Sequence, residues 1–205
     1  MKLYFAPGAC SFAPHIVLNE LGTTFTPVKV DLRSHKLEDG TDFYSISPNG
    51  YVPVLELDDG TRLAEAQVIL QYLADRKPGT LAPAAGTLER YRLMEALSFI
   101  ATELHKGFGP LWYPDTPEAT KTATLAKLSK RFDRTVQMLG NRQFLVGDTF
   151  TIADAYLFTI LSWSGFLKVD LKPWPALQQY LERIGARASV QAAKRTESTK
   201  ASATA

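Results

Sequence analysis

The residue best suited to chemistry is Cys10, the only cysteine in the chain, set in the stretch "APGACSFAP" at residues 6–14. An apolar run, "KLYF", precedes it and a helix-like run, "HIVLNEL", follows, so the thiol sits at the joint between a strand and a helix. Helix starts present unpaired N–H groups and about half a positive charge. Such sites lower a cysteine pKa from about 8.5 by one or more units. A shift of about two units corresponds to roughly 2.7 kcal/mol and turns a largely neutral thiol into a thiolate at neutral pH. Ser11 is the expected N-cap of the helix. The competing reading of Cys10 is a small buried hydrophobe. Ala13 stands where a Cys-x-x-Cys pair would place its second thiol, so a dithiol cycle within one chain is ruled out. A monothiol that borrows its second sulfur from a small thiol remains chemically sound.

The second group with a usable spacing is in "TELHKGF". Ser98, Thr102, His105 and Gly109 follow i, i+4, i+7, i+11, one face of an α-helix, beside an apolar stripe of Leu93, Leu97, Ile100, Leu104, Phe108 and Leu111. An imidazole there can donate a hydrogen bond to a sulfur anion or move a proton. His15, His35 and His105 match no metal-ligand spacing, and one cysteine makes neither a Cys-rich zinc site nor an internal disulfide.

The elements that must position these groups fall into two halves. The first half reads β-α-β, a middle loop, then β-β-α. The strands are "LYF", "FTPVKVDL", "VPVLEL" and "TRLA", with Asp59-Gly60 as a hairpin turn, and the helices cover 12–21 and 65–76. A β-α-β unit requires a parallel, right-handed crossover. The second half reads as helices. One runs from Thr87 to about Tyr113, and one from a Thr116-Pro117-Glu118 start to Leu139. An almost wholly apolar helix is opened by a Thr151-Asp154 capping box, and a last one covers about 174–188. The expected domains are 1–77, a linker at 78–86, a helical domain at 87–195 and a disordered tail at 196–205, the tail because "TESTKASATA" holds no apolar anchor.

Composition narrows the classes. Of 205 residues, 45% are apolar and 21% charged, and 23 basic against 21 acidic side chains leave a formal charge of +2. That balance argues against nucleic acid as a partner, and the apolar runs are too short for a membrane span. "MKLYFAPGAC" does not read as a secretory signal, and the cysteine usage fits a reducing compartment, so the expected location is cytoplasmic.

Four stretches in order resemble the glutathione S-transferases, specifically the bacterial beta class: "KLYFAPGACSFAPHIVLNE", "SPNGYVPVLELDDGTRLAEAQVILQYLAD", "FIATELHKGFGPL" and "GDTFTIADAYLF". They cover residues 1 to about 190. The resemblance implies an α/β thioredoxin-like N-terminal domain followed by an all-helical C-terminal domain. It also implies a homodimer, and glutathione, as co-substrate with no separate cofactor or metal, bound in a cleft between the domains. Its catalytic residues are Cys10 and His105. Val52-Pro53 is implied to be a cis peptide whose Val52 backbone pairs with glutathione. Glu65 and Ala66 are implied to hold the γ-glutamyl end, and Tyr51 to wall the site. His35 stands where relatives carry a Lys for the glycine carboxylate, with Lys36 as the alternative. Ser98 stands in place of an Asn that contacts glutathione from the partner subunit. Thr102 and Lys106 complete the glutathione set, and Phe108, Leu111, Trp112 and Tyr113 are the implied walls of an apolar pocket for small hydrophobic electrophiles. The implied activity is conjugation of the glutathione thiolate to such electrophiles, with glutathione-dependent disulfide or peroxide reduction beside it. Two alternatives stay open: a thiol–disulfide oxidoreductase working mainly through a Cys10–glutathione mixed disulfide, and a non-catalytic ligand-binding protein of the same fold. Tyr4, on the first strand, is not a candidate for activating the sulfur.

Overall fold

The structure, a computed structural model, describes residues 1–202, with side chains described through residue 198. It divides into two units. The first comprises Met1–Lys77 together with the chain from Ala186 onward; the second comprises Pro78–Gly185.

In the first unit, β1 (Lys2–Phe5), β2 (Thr26–Asp31), β3 (Lys36–Leu37), β4 (Val54–Glu56) and β5 (Arg62–Ala64) form one sheet in the order β3-β2-β1-β4-β5. β1 and β2 are parallel, joined through α1 (Phe12–Glu20), as a crossover unit requires. β4 runs antiparallel to both β1 and β5. The two-residue β3 was not legible in the sequence; it is a short edge strand paired through Val30 and Leu37. Strand alternation sends Leu3 and Phe5 to one face and Tyr4 to the other. Tyr4 packs there with Ala6, Val30, Phe43, Ile46, Val52 and Val54. Its hydroxyl donates to Glu56 Oε2 at 3.2 Å. α2 (Ala66–Asp75) buries Ala66, Ile69, Leu70 and Leu73, the expected helical stripe, and packs against α1.

The register explains where the chemistry gathers. Phe5 at the end of β1, Val54 at the start of β4 and Ala64 at the end of β5 all lie at the same end of the sheet, since Tyr4 pairs with Val54 and Val54 with Ala64. The loops carrying Cys10, Val52-Pro53 and Glu65 therefore leave from one edge. Because β2 is parallel to β1, the turn carrying His35 leaves from that end too.

The second unit is helical: α3 (Leu88–Phe99), α4 (Glu118–Leu139), α5 (Ile152–Phe166) and α6 (Pro175–Gly185). α5 is buried along nearly its whole length, as its apolar sequence predicts. Three expectations are corrected here. The helix begun at Thr87 is α-helical only to Phe99; a π-helical turn spans Ile100–His105 and a 3-10 segment containing Pro110 spans Lys106–Trp112. Residues 78–86 are not a detached linker, since Leu81 and Ala82 are buried and the Leu81 carbonyl accepts the Ile152 N–H at 3.0 Å. Thr116 does not cap α4; its hydroxyl donates to the Pro110 carbonyl and Pro117 takes the capping position.

The domain boundary near 195 and the tail from 196 are also corrected. α7 (Ala188–Ser202) belongs to the first unit and packs against α1. Val190 and Ala193 are fully buried, and burying a valine contributes about 2 kcal/mol. Glu20 accepts hydrogen bonds from Arg187 and Ser189, and Asn19 donates to the Ser189 carbonyl at 3.4 Å. The part of the expected tail at 203–205 lies outside the described residues.

Candidate active site

The loop Pro7–Ser11 is held from below. The Ser11 hydroxyl lies 3.2 Å from both the N–H and the carbonyl of Ala6, so it ties the loop to the end of β1. This corrects the expectation of a side-chain N-cap: Ser11 has helical dihedrals and makes no capping bond. Gly8 N–H donates to Glu197 Oε2 at 2.9 Å, and Glu197 Oε1 lies 2.9 Å from His15 Nδ1. Both side chains are almost fully buried. A residue of α7 thus anchors the Cys10 loop and the helix that follows it. Sequence reasoning missed this group. The signal was a Glu and a His in otherwise ordinary helices, 182 positions apart, with nothing local to link them.

Cys10 is half-buried, and its Sγ donates to the Val52 carbonyl at 3.2 Å. The Val52-Pro53 bond is cis. Val52 and Pro53 are buried, whereas Tyr51 is 67% exposed and its carbonyl accepts from the Ser47 hydroxyl at 3.0 Å. Glu65 precedes α2 with φ at +65°, a conformation that costs a non-glycine residue on the order of 1–3 kcal/mol. Its carbonyl accepts the Val68 and Ile69 N–H groups, so the N–H groups of Ala66 and Gln67 come before the first helical bond. The Glu65 side chain is exposed, caps nothing, and has no hydrogen-bond or ion-pair partner among the described residues. Ala66 is buried.

His35 also has positive φ, at +52°. Its ring stacks on Tyr44 with centroids 4.6 Å apart, and its buried Nδ1 has no hydrogen-bond partner among the described residues. A Cβ on Gly50 would lie 2.8 Å from Tyr44 and 2.9 Å from His35 Nδ1, so only glycine fits the turn that leads to Tyr51. Lys36 is exposed on β3. Cys10, Tyr51, Val52, Pro53, Glu65 and Ala66 are therefore gathered at one sheet end, with His35 packed against Gly50 beside them.

The remaining expected residues lie in the second unit. Ser98 and Thr102 are exposed, and the Thr102 hydroxyl donates back to the Ser98 carbonyl at 2.8 Å. His105 does not share their exposure. The i→i+5 bonding of the π turn inserts an extra residue, so α-helical spacing does not carry from residue 98 to 105. The His105 Nδ1 is 2.7 Å from the Tyr156 hydroxyl, and its ring meets Trp163 edge-on at 5.0 Å. Burial, with a smaller push from the Lys106 charge, lowers its pKa to about 4, so the ring is neutral at pH 7. Lys106 is exposed.

Of the expected pocket walls, Phe108 is fully buried against Phe132 and Trp163 and belongs to the core. Leu111 is half-buried, and Trp112 and Tyr113 are exposed, with Trp112 edge-on to Trp163 at 5.2 Å. Tyr156 and Trp163 were missed. They are seven residues apart on α5, hence on one face, and no short segment signals that His105 turns toward them. A cavity of about 840 Å³ elsewhere in this unit is lined by residues 79–83, one side of α3 from Glu89 to Phe99, the end of α4 and residues 142–151, and holds none of the expected site residues.

Comparison with known proteins identifies the family. Residues 8–76 match the glutathione S-transferase N-terminal domain family and residues 99–188 the C-terminal domain family. The chain is 46% identical to glutathione S-transferase GstA of Escherichia coli O157:H7, over 98% of this chain and all of that one. A sphingomonad glutathione S-transferase solved in complex with glutathione superposes with a TM-score of 0.92 at 43% identity, covering 97% of this chain and 99% of the other. The beta-class glutathione S-transferase of Sphingomonas chungbukensis gives 0.92 at 44% identity, covering 96% and 98%. With a thioredoxin-like sheet whose cysteine, cis-proline and acid-started helix meet at one end, and with similarity along nearly its whole length, the chain belongs to the glutathione S-transferase family and resembles its bacterial beta class.

Proposed function

We propose that this glutathione transferase holds the tripeptide at the sheet end that carries Cys10, Val52 and Glu65, and conjugates its thiolate to small apolar electrophiles. The observation that carries the reading is Glu65: an exposed carboxylate, strained at φ +65° and without an intramolecular partner among the described residues, at the opening of a ten-residue helix. Strain persists where function repays it. The helix-start N–H groups of Ala66 and Gln67 suit the γ-glutamyl carboxylate, and the Glu65 carboxylate suits the adjacent ammonium. The Val52 backbone pairs with the cysteinyl backbone of glutathione as an added strand. Pairing at the Val52 carbonyl displaces its present donor, the Cys10 thiol, and frees that thiol to meet the substrate sulfur. His105 serves the same sulfur, as the resemblance implies. Trp112, Tyr113 and Leu111 remain accessible for an apolar co-substrate, with the buried Trp163 ring backing Trp112.

We assign the active form to a homodimer in the cytoplasm. Leu88, Tyr91 and Met94, at spacing three on α3, are exposed large apolar side chains, a stripe that a second copy would cover. No helix among the described residues is long and apolar enough to cross a membrane.

Glutathione titration of Glu65→Gln tests the reading. A charge-assisted pair contributes about 1.5–3 kcal/mol, so the Kd is expected to rise roughly tenfold to a hundredfold while the melting temperature stays unchanged. An unaltered Kd would remove Glu65 from the site.

A further inference from the structure

We propose that the Tyr156 hydroxyl donates its hydrogen to Nδ1 of His105 and thereby fixes the ring proton on Nε2, so that Tyr156 is a positioning residue and His105 acts as a hydrogen-bond donor rather than a base. The O···N distance is 2.7 Å, the usual length for a hydroxyl donor; a bond donated by a ring N–H is ordinarily about 2.9–3.0 Å. The chemistry favours the same direction. A phenol is the stronger acid and an imidazole nitrogen the stronger base of the pair, so O–H to N is the matched arrangement. A neutral imidazole carries one N–H and one lone pair, so accepting at Nδ1 leaves the proton on Nε2. The doubly protonated ring is excluded at neutral pH, since burial holds the His105 pKa near 4. The ring cannot turn to exchange its nitrogens freely. Tyr156 meets it edge-on at 88° and Trp163 at 73°, and both aromatics are buried on α5. The π turn at 100–105 brings His105 to them.

The consequence bears on how the sulfur is held. A base would need its lone pair at the ring nitrogen that faces the substrate thiol. With the proton fixed on Nε2, His105 instead offers N–H to a thiolate already formed, and stabilises it as a preorganised donor does. This consequence rests on the reading that His105 serves the glutathione sulfur; the tautomer itself does not.

The test is a long-range proton–nitrogen NMR correlation on the uniformly ¹⁵N-labelled, ligand-free protein at pH 7. The His105 signals are identified as those lost in His105→Asn, the remaining two sets belonging to His15 and His35. The expected result is a His105 Nδ1 in the unprotonated range and Nε2 in the protonated range. In Tyr156→Phe the two nitrogen shifts should move toward each other as the tautomers mix, with His15 and His35 unmoved. In the same variant kcat for conjugation should fall about fivefold, the effect of one hydrogen bond, with the KM for glutathione within about twofold of wild type. A wild-type ring protonated at Nδ1 overturns the proposal, as do His105 shifts unchanged in Tyr156→Phe. Should that variant not fold, the wild-type spectrum alone decides. Failure of the glutathione reading would be seen separately, as the expected tautomer in a protein that glutathione titration leaves unbound.

Discussion

Asp154→Ala is expected to destabilise the protein by roughly 3–5 kcal/mol, a large share of the stability of an ordinary domain. The carboxylate is fully buried. It accepts from Leu145 N–H at 2.7 Å, Tyr180 O–H at 2.8 Å, Thr151 N–H at 2.9 Å and the Thr151 hydroxyl at 3.0 Å. Burial pushes the carboxyl above its ordinary range while these four bonds pull it down. Removing it strands several buried donors at once, and an unsatisfied buried donor costs about 1–3 kcal/mol. It also uncaps α5, the most buried helix of the second unit, and unfastens residue 145 from the helix start. In a chain of this size the melting temperature should fall by roughly 10 °C. Tyr180→Phe deletes one donor and leaves the carboxylate three others, so its loss should be about 1 kcal/mol. Thermal and urea unfolding measure both. A loss below about 1 kcal/mol for Asp154→Ala would mean that the network is not what holds α5 in place.

The second large effect separates two activities. In Cys10→Ala, glutathione-dependent disulfide reduction should fall roughly a hundredfold or more, since the chain contains no other thiol to form a covalent intermediate. The balanced steps are attack by the Cys10 thiolate on a glutathionylated disulfide, forming Cys10–S–S–glutathione and expelling the other sulfur as a thiolate. A second glutathione thiolate then attacks that bond, releasing oxidised glutathione and the Cys10 thiolate. Conjugation needs no bond to Cys10. The thiolate that attacks the electrophile belongs to glutathione, so the same variant should keep conjugation within about tenfold, the effect of a lost hydrogen bond or two. Parallel assays with a mixed glutathione disulfide and an aryl halide distinguish these outcomes. Equal loss of both would make Cys10 part of the conjugation step, and equal retention would leave it a packing residue.

Much of the site was legible because its features are local. A thiol after Pro7-Gly8 at a strand end, a proline before a strand, and an acid at the opening of an amphipathic stripe each belong to short segments, and the sheet register brings them together. What was not legible depends on geometry that no short window carries. The helix from residue 88 reads as continuous because its apolar stripe persists, yet the backbone changes to π and then 3-10 bonding and turns His105 away from Ser98 and Thr102. Ser11 has the composition of a cap, but the closer partner is the backbone of Ala6. The C-terminal helix misled for a related reason. Its last ten residues hold no large apolar group, and its anchors are Val190, Ala193 and the buried pairing of Glu197 with Gly8 and His15. A polar side chain that docks through hydrogen bonds looks, in sequence, like one that faces water.

We propose the end of the sheet where Cys10, Val52 and Glu65 meet as the seat of the tripeptide. The direct measurement is a crystal structure of the protein with glutathione bound. The expected structure has the cysteinyl backbone of glutathione paired with Val52, its γ-glutamyl carboxylate on the N–H groups that open α2, and its sulfur beside Cys10 Sγ. Glutathione seated elsewhere, with the Cys10 thiol still donating to the Val52 carbonyl, would contradict it.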